Sequence, residues 1–469
     1  MRAIRMIAIS LMGAVMVAPT SGQSPSPGGP LRVGAARVEI TPPAAPGSPA
    51  PAYEHERLYV RAIVLDNGTA RAALISADQS NVPEEVWTAA SKDIAADLNA
   101  PVQNILMSAT HTHSGNVAGP GRGGAPTATP PSAGNQAAPP LVAPMLQAVR
   151  QAKAALQPAR VGFGTGTLWL NVNRDAIDPE TRRWTQAPNR EGPSDKTVAM
   201  LKFESLTGAP IAAYVNYAMH PVNGYLSGVI SADFPGAATR HIEQAYGGQM
   251  VALFSQGASG DQNPLYLRAG TNLMASRTSV PITGNVLVRE KVEGPLRDGA
   301  VPGTPGDPKV RDALLRWIEA QGMLLGEEVI RVMTDTASLD SRPGIRAAQK
   351  VISCAGRTRT GGAREGGPGE YGNADPVQLR LGALVIGNTA LASVNAELYS
   401  PIAQRLKERS PLSNTVMVTL ANGRAGSGYI PDDASYGHYT FQVNGSRLQP
   451  GCAESAIANG LAGMIAELR

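Results

Sequence analysis

The fold class of this chain is indicated by residues 71–113, which read RAALISAD, QSNVPEEVWTAASKDIAADLNAP and VQNILMSATHTH. The first and last of these segments are short apolar runs typical of buried strands. Between them, an apolar residue recurs every four positions, at Val86, Ala90, Ile94 and Leu98. This spacing predicts a helix with one apolar face, capped by Asn81 and with Pro83 in its first turn. The strand–helix–strand order favours a mixed sheet with helices packed on it.

The rest of the chain repeats this alternation. Further strands are predicted over residues 31–41, 58–66, 159–169, 198–203, 210–218, 250–254, 377–386 and 416–420. Further helices are predicted over residues 234–246, 309–333, 401–409 and 453–468. Segments 115–142, 284–308 and 355–376 are rich in Gly, Pro or Ala and are predicted to be loops, the first being either a flap over a site or an inert insertion. We therefore predict an α/β fold with a mixed β-sheet core flanked by helices, in a single large domain over residues 31–469.

Composition excludes some classes of protein. Hydrophobic residues make up 43% of the 469 positions, which argues against disorder of the whole chain. The formal net charge is +4, and two of the positive charges, Arg2 and Arg5, lie at the N-terminus. Aromatic residues make up only 4%. With no basic stripe and few rings for base stacking, a nucleic-acid partner is not predicted.

The N-terminus has the pattern of an export signal. Arg2 and Arg5 precede an apolar run over residues 6–17, which is followed by small and polar residues. We predict a signal peptide over residues 1–22 and a disordered leader over residues 23–30. The apolar run is too short for a transmembrane helix, although a retained N-terminal anchor is the alternative. The predicted location is periplasmic or secreted.

The two cysteines, Cys354 and Cys452, agree with an oxidising compartment. One disulfide is predicted, and two separate buried thiols are the alternative. Neither cysteine lies beside a histidine in the sequence, so a cysteine nucleophile is not predicted.

Histidine is scarce, with six in the chain, so the placement of each is informative. His111 and His113 follow the predicted strand 102–108, and residues i and i+2 of a strand face the same side. They are therefore expected to point into one pocket at a sheet edge, where α/β folds place their sites. Imidazole is the commonest metal ligand, and a simple hydrogen-bonded pair is the alternative.

His220 and Glu397 also stand where predicted strands end. Pro221 biases His220 toward an extended or turn conformation. Glu397 follows a long apolar run, and an ionised glutamate is rarely buried without a partner. Two histidines and a glutamate form a known catalytic zinc set that leaves a position for water. The alternatives are a core histidine and a salt bridge from Glu397 to an arginine.

Four stretches resemble the N-terminal catalytic domain of the neutral/alkaline (non-lysosomal) ceramidase family. They are residues 33–43, residues 74–78 (LISAD), residues 108–115 (SATHTHSG) and the region from His220 through residues 232–236 (ADFPG). The resemblance covers most of residues 31–440, and SATHTHSG is its most specific part.

The resemblance implies one zinc ion held by His111, His220, Glu397 and Tyr429. Tyrosine is an unusual zinc ligand, and the alternative for Tyr429 is a turn aromatic that packs on the sheet. His113 would lie beside the metal as an acid/base partner.

The resemblance also implies two groups that polarise the substrate carbonyl. Arg174 would supply a fixed positive charge, the alternative being a surface ion pair with Asp175 or Asp178. Tyr439 would supply a hydroxyl, and Tyr436 competes with it because the spacing of this segment differs slightly from that of the family.

The chain departs from the family in two respects. Residues 257–264 read GASGDQNP, and Asn263 stands where ceramidases have a serine with an assigned catalytic role. Asn263 is expected to hydrogen-bond the substrate instead. The immunoglobulin-like C-terminal domain usual in ceramidases is also not expected within these 469 residues, because the last predicted helix runs to residue 468. Both departures leave the identity of the substrate open.

The expected function is that of an exported zinc-dependent hydrolase that cleaves an amide bond, in an N-acyl amide or a ceramide-like lipid, by metal-activated water. A lipid substrate would bring peripheral contact with a membrane. One alternative is a zinc-dependent esterase, lactonase or amidase for a small non-lipid substrate. The other is a non-catalytic periplasmic binding protein. The sequence does not define an oligomeric state.

Overall fold

The computed structural model describes residues 28–42, 53–54, 56–115, 141–224, 229–265 and 308–469. The predicted signal peptide, residues 23–27 of the predicted leader, most of the predicted flap and residues 284–307 lie outside the described residues.

The described ranges contain strands joined by helices and turns. The strands are β1 Arg32–Glu39, β2 Tyr53–Glu54, β3 Tyr59–Asp66, β4 Arg71–Ala77, β5 Ile105–Ala109, β6 Gln157–Thr167, β7 Asn171–Ile177, β8 Trp184–Asn189, β9 Thr197–Ser205, β10 Pro210–Tyr217, β11 Val229–Ile230, β12 Val251–Gln256, β13 Gln262–Pro264, β14 Ile345–Gly362, β15 Gly369–Ile386, β16 Thr389–Val394, β17 Glu397–Leu398, β18 Asn414–Val418 and β19 Tyr429–Ile430. The helices are α1 Glu84–Leu98, α2 Val142–Ala154, α3 Asp233–Ala245, α4 Pro308–Asp335, α5 Ser400–Arg409, α6 Phe441–Gly445 and α7 Ala453–Leu468.

Two mixed sheets form the centre of the fold. The larger has eight strands in the order β12-β10-β9-β6-β1-β3-β4-β5 and ends in a parallel pair at each edge, β10 with β12 and β4 with β5. The smaller has the order β14-β15-β16-β18. Ile63 and Leu74 of the larger sheet share one apolar core with Leu384 and Val416 of the smaller sheet. The inner faces of the two sheets therefore pack on each other.

Helices cover the outer faces of the two sheets. Successive residues of a strand face opposite sides, so each strand also has apolar side chains on the outer face, and these pack against helices. On β3 the alternate residues Val60, Ala62 and Val64 point away from the smaller sheet and pack against α1 and α2. Helices α3 and α4 cover the half of the larger sheet formed by β9, β10 and β12, and α5 and α7 cover the smaller sheet. The predicted α/β fold with a helix-flanked mixed sheet is confirmed.

Curvature of the larger sheet brings its two edges together. Ser76 Oγ on β4 donates to the carbonyl oxygen of Phe254 on β12 at 2.6 Å, although five strands lie between β4 and β12 in the sheet order. The carboxyl ends of β5 and β10 therefore meet in one region. This curvature is what places the histidines that follow these two strands beside each other.

Two local predictions are wrong. Helix α1 begins at Glu84, with Pro83 at its N-cap position and no side-chain cap, and Asn81 Nδ2 donates to Ser80 Oγ instead. Most of the predicted loop 355–376 belongs to the hairpin of β14 and β15. Its register shifts beside Gly356 and Gly361, where β-bulges accommodate glycines that a regular ladder would disfavour.

The predicted disulfide is confirmed. Cys354 on β14 and Cys452 just before α7 are bonded, with their Cα atoms 5.8 Å apart. The bond ties the long hairpin to the last helix across a sequence separation of 98 residues. In the described ranges, no helix combines the length and the apolar character needed to cross a bilayer.

Replacing both cysteines with alanine is expected to lower the free energy of unfolding by about 3–5 kcal/mol, because an open loop of this length gives the unfolded chain more conformational entropy. Guanidinium denaturation of the wild type and the double variant measures the change. Wild-type protein unfolded in a thiol reductant serves as the control, since it loses the bond without losing side-chain volume. Equal midpoints for oxidised wild type and variant would contradict this expectation.

Candidate metal centre

His111 and His113 lie just beyond β5 rather than on it. The main chain of His111 has a φ of +68°, the left-handed region that non-glycine residues seldom adopt. Its amide donates to the carbonyl oxygen of Gln79 at 2.9 Å, and the amide of His113 donates to that of Pro221 at 3.2 Å. The two imidazoles still share a pocket, but a turn held by these hydrogen bonds brings them there, and not the alternation of a strand.

Four side chains converge on one point. The Nε2 atom of His111 lies 3.1 Å from Nε2 of His220 and 3.4 Å from Nε2 of His113. Glu397 Oε2 lies 3.2 Å from Nε2 of His220 and 3.4 Å from Nε2 of His111. The three histidines also form a cluster whose ligating atoms all lie within 4.8 Å of one another.

Backbone carbonyls define the tautomers of two of these histidines. Nδ1 of His111 lies 2.5 Å from the carbonyl oxygen of Ser80, and Nδ1 of His220 lies 2.7 Å from that of Ser259. Because a carbonyl oxygen can only accept, each Nδ1 carries a proton, and in the neutral form of each ring Nε2 presents a lone pair. This is the usual orientation of metal-ligating histidines.

The donor set fits a divalent cation. Two Nε2 lone pairs that face each other cannot hydrogen-bond, and Glu397 Oε2 is buried without a hydrogen-bond donor. A cation at this point would satisfy all three atoms. Two imidazoles and a carboxylate, with a third imidazole beside them, are ligands typical of zinc and related metals.

Ionisation states suit the same role. Burial and the charge of Arg174 lower the pKa of His220 to about 4. Burial and the two neighbouring imidazoles hold the pKa of His113 well below its usual value. Burial would raise the pKa of Glu397, but the contacts of its carboxylate with His111 and His220 outweigh burial and keep that pKa well below its ordinary value. At neutral pH these shifts favour neutral imidazoles at His113 and His220 and an ionised carboxylate at Glu397.

Tyr429 is placed beside Glu397 by a short parallel ladder. β17 and β19 pair so that Glu397 and Tyr429 are direct partners, and the amide of Glu397 donates to the carbonyl oxygen of Gly428 at 2.9 Å. Burial and the carboxylate of Glu397 raise the pKa of Tyr429, although a hydrogen bond with Arg174 opposes this. Tyr429 is therefore a phenol at the edge of the cluster and not an aromatic packed in a surface turn.

Arg174 on β7 is a buried cation beside the cluster. Its side chain donates to the carbonyl oxygen of Gly260 from Nε at 3.1 Å and from Nη2 at 2.5 Å, and Nη1 donates to Asn263 Oδ1 at 3.3 Å. The guanidinium lies 5.5 Å from the ring centre of Tyr429 and 5.6 Å from that of Phe441. It is 2% exposed, so the alternative of a surface ion pair is wrong.

The contacts of the described residues do not join either candidate tyrosine, Tyr439 or Tyr436, to Arg174. Tyr436 donates its hydroxyl hydrogen to the carbonyl oxygen of Leu448 at 3.1 Å. Among the contacts of the described residues, none joins the hydroxyl of Tyr439 to the histidines or to Arg174. The aromatic residue in that place is Phe441, which sequence reasoning missed because a phenyl group carries no reactive atom that would single it out.

Comparisons with known proteins agree with this description. Residues 54–282 match the family model "Neutral/alkaline non-lysosomal ceramidase, N-terminal". Two curated Dictyostelium discoideum proteins, neutral ceramidase B and neutral ceramidase A, are 29% and 27% identical over 224 residues. Each match covers 45% of this chain but 31% of the relative, so it spans about a third of those proteins.

Two solved structures share the fold. A ceramidase complexed with C2 superposes with a TM-score of 0.67 at 16% identity, covering 94% of this chain and 75% of the other. Neutral ceramidase from Pseudomonas aeruginosa superposes with a TM-score of 0.66 at 16% identity, covering 93% and 74%. By sequence over residues 54–282 and by fold over nearly the whole chain, the resemblance to the N-terminal domain of the neutral/alkaline non-lysosomal ceramidase family is confirmed.

Proposed function

We propose that this protein is an exported zinc-dependent hydrolase that cleaves the amide bond of an N-acyl amide or a ceramide-like lipid. The observation that carries the proposal is the convergence of two unprotonated Nε2 atoms and the Glu397 carboxylate beside a buried arginine. The disulfide and the N-terminal signal pattern support a periplasmic or secreted location. A lipid substrate would require peripheral contact with a membrane.

The proposed ligands are His111, His220, Glu397 and Tyr429. When bound, zinc lowers the pKa of a water molecule toward about 7 and polarises a carbonyl oxygen. Tyr429 would have to lose its proton to bind a metal, and the adjacent Arg174 cation favours that loss. His113 is the alternative ligand, since its Nε2 lies 3.4 Å from Nε2 of His111 and belongs to the same cluster of possible ligand atoms.

As a non-ligand, His113 would move a proton. Its low pKa leaves a lone pair at neutral pH that can accept a proton and deliver it to the leaving nitrogen. Such general acid–base catalysis is worth on the order of 10²–10⁴ in rate.

Arg174 and Asn263 would orient the carbonyl group that is attacked. The guanidinium is held by Gly260, so its charge is already in place before an oxyanion develops. Asn263 accepts from Arg174 through Oδ1, which leaves its amide NH₂ group to donate to substrate. The hydroxyl expected from Tyr439 has no support from the contacts around Arg174, where Phe441 lies.

The substrate has a second candidate class, a small non-lipid ester, lactone or amide. The presence of Asn263 at the position of the family's serine favours it, because this is where the chain departs from lipid-cleaving relatives. A non-catalytic binding protein is disfavoured, because simple binding has no need of a buried arginine and a neutral third imidazole beside a metal.

His111→Ala and His220→Ala are expected to lose bound metal, because each removes an Nε2 donor from the convergence point. His113→Ala is expected to retain it. Metal content after dialysis, measured by mass spectrometry, checks both expectations, with His241→Ala as the control because His241 pairs with Glu327 away from the site. Full zinc in His111→Ala would remove His111 from the ligand set, and loss of zinc in His113→Ala would make His113 a ligand.

Arg174→Met is expected to reduce kcat by about 10²–10³ through loss of oxyanion stabilisation. Arg174→Lys keeps the charge but loses the two-point contact with Gly260, so an intermediate loss is expected. Turnover is measured together with zinc content, which should stay at the wild-type level in both variants. A wild-type kcat for Arg174→Met would exclude a role for this charge in the reaction.

The substrate class is tested with a fluorescent ceramide, a simple N-acyl amide and a short-chain ester, on protein of known metal content. Ceramide cleavage by protein with one zinc per chain is the expected result. Cleavage of the small substrates alone would favour the second class. Protein that binds no zinc and cleaves none of the three would overturn the proposed function.

A further inference from the structure

The residues 259–262, here named the 259–262 loop, contact several parts of the candidate centre. The carbonyl oxygens of Ser259 and Gln262 lie 2.7 and 3.2 Å from Nδ1 of His220, so the loop determines the tautomer of that ring. The carbonyl oxygen of Gly260 accepts from the guanidinium of Arg174. A single short loop thus orients one proposed ligand and the neighbouring cation.

The same loop is joined to the segment that carries Glu397. The amide of Gly260 donates to the carbonyl oxygen of Leu398 at 2.8 Å. A Cβ atom on Gly260 would lie 2.9 Å from that oxygen and 3.0 Å from Tyr399 Cδ1, closer than side chains normally approach. Glycine at this position therefore allows the loop to pack directly against the strand of Glu397.

Asp261 anchors the loop through its fully buried side chain, which has 0% exposure. Oδ1 accepts from the amide of Ser400 at 2.7 Å, while Oδ2 accepts from Ser400 Oγ at 2.8 Å and from Asn173 Nδ2 at 3.0 Å. The main-chain oxygen of Asp261 also accepts from the amide of Arg174 at 2.9 Å. One carboxylate therefore joins β7, the loop and the start of α5.

The contact with α5 follows from the properties of helix ends. The N-cap residue of α5, Tyr399, makes no side-chain cap, so the first amides of the helix need an acceptor from elsewhere. A carboxylate is the favoured partner at a helix N-terminus because it also interacts well with the helix dipole. Asp261 supplies this cap from a distant part of the chain, and α5 begins three residues after Glu397.

We propose that Asp261 is a positioning residue for the metal centre, whose buried carboxylate holds His220, Arg174 and Glu397 in one arrangement. The inference rests on the proposed function, since it assumes that His220 and Glu397 bind the metal. Groups behind the metal ligands typically contribute about 10–100-fold to metal affinity or activity.

The experiment compares Asp261→Asn with the matched variant Asp66→Asn. Three donors face the two oxygens of Asp261, so an asparagine with one acceptor oxygen must leave a donor without a partner. Asp66 is also buried and accepts from a backbone amide, that of Gly68, and from Arg71 Nε, both at 2.8 Å, but it lies at the end of β3, next to the turn that leads to β4. The control therefore has a similar disturbance away from the centre.

Zinc affinity is measured by competition with a chromophoric chelator, and melting temperature is measured on the same samples. Asp261→Asn is expected to raise the Kd for zinc about 10–100-fold. Asp66→Asn is expected to leave the Kd within about threefold of wild type even if it lowers the melting temperature as much. A Kd for Asp261→Asn within the range of the control would overturn the inference.

Ser400→Ala provides a second test if Asp261→Asn does not fold. It removes the hydroxyl that donates to Oδ2 and accepts from Gln262 Nε2 but leaves the backbone amide in place, so a severalfold rise in Kd is expected with little change in melting. An unchanged Kd in Ser400→Ala would then overturn the inference. Wild-type protein that binds no zinc would overturn the proposed function. Wild-type protein that binds zinc, together with variants that keep its Kd, would overturn only the inference about Asp261.

Discussion

The central constraint in this structure is the forced proximity of atoms that all carry lone pairs. Nε2 of His111 and Nε2 of His220 lie 3.1 Å apart, and the Glu397 carboxylate is within 3.4 Å of both. The carbonyl oxygens of Ser80 and Ser259 hold protons on the opposite nitrogens, so the neutral rings have no proton between them. Such an arrangement is unfavourable alone and becomes favourable around a cation.

The fold enforces this constraint from two sides. The larger sheet curves until β4 and β12 exchange a hydrogen bond, which brings together the segments that follow β5 and β10 and carry His111 and His220. Glu397 arrives from the short ladder beside the smaller sheet, together with Tyr429. The packing of the two sheets on a common apolar core therefore determines the geometry of the ligands, since neither sheet carries the full set.

The surroundings of the cluster support the proposed hydrolase over a protein that only binds a metal. A buried arginine, an amide group and a neutral imidazole lie on one side, where an attacked carbonyl group would need charge, orientation and a proton carrier. Phe441 covers the guanidinium with an apolar ring where a hydroxyl was expected. Asn263, the residue expected in place of the family's serine, also lies beside this guanidinium.

The sequence by itself indicated the fold class, many of the strands and helices, and one disulfide, because apolar periodicity and cysteine count report on burial and oxidation. It also singled out the His-x-His motif. It did not predict α2, β7 or β8. It could not reveal the hairpin of β14 and β15, because a glycine-rich segment is typical of a loop. In the structure, β-bulges in the two paired strands accommodate these glycines. Only the tertiary structure decided that Phe441 lies beside Arg174 and that Asp261 caps α5. These contacts join residues far apart in the chain, and local patterns carry no information about which distant groups meet.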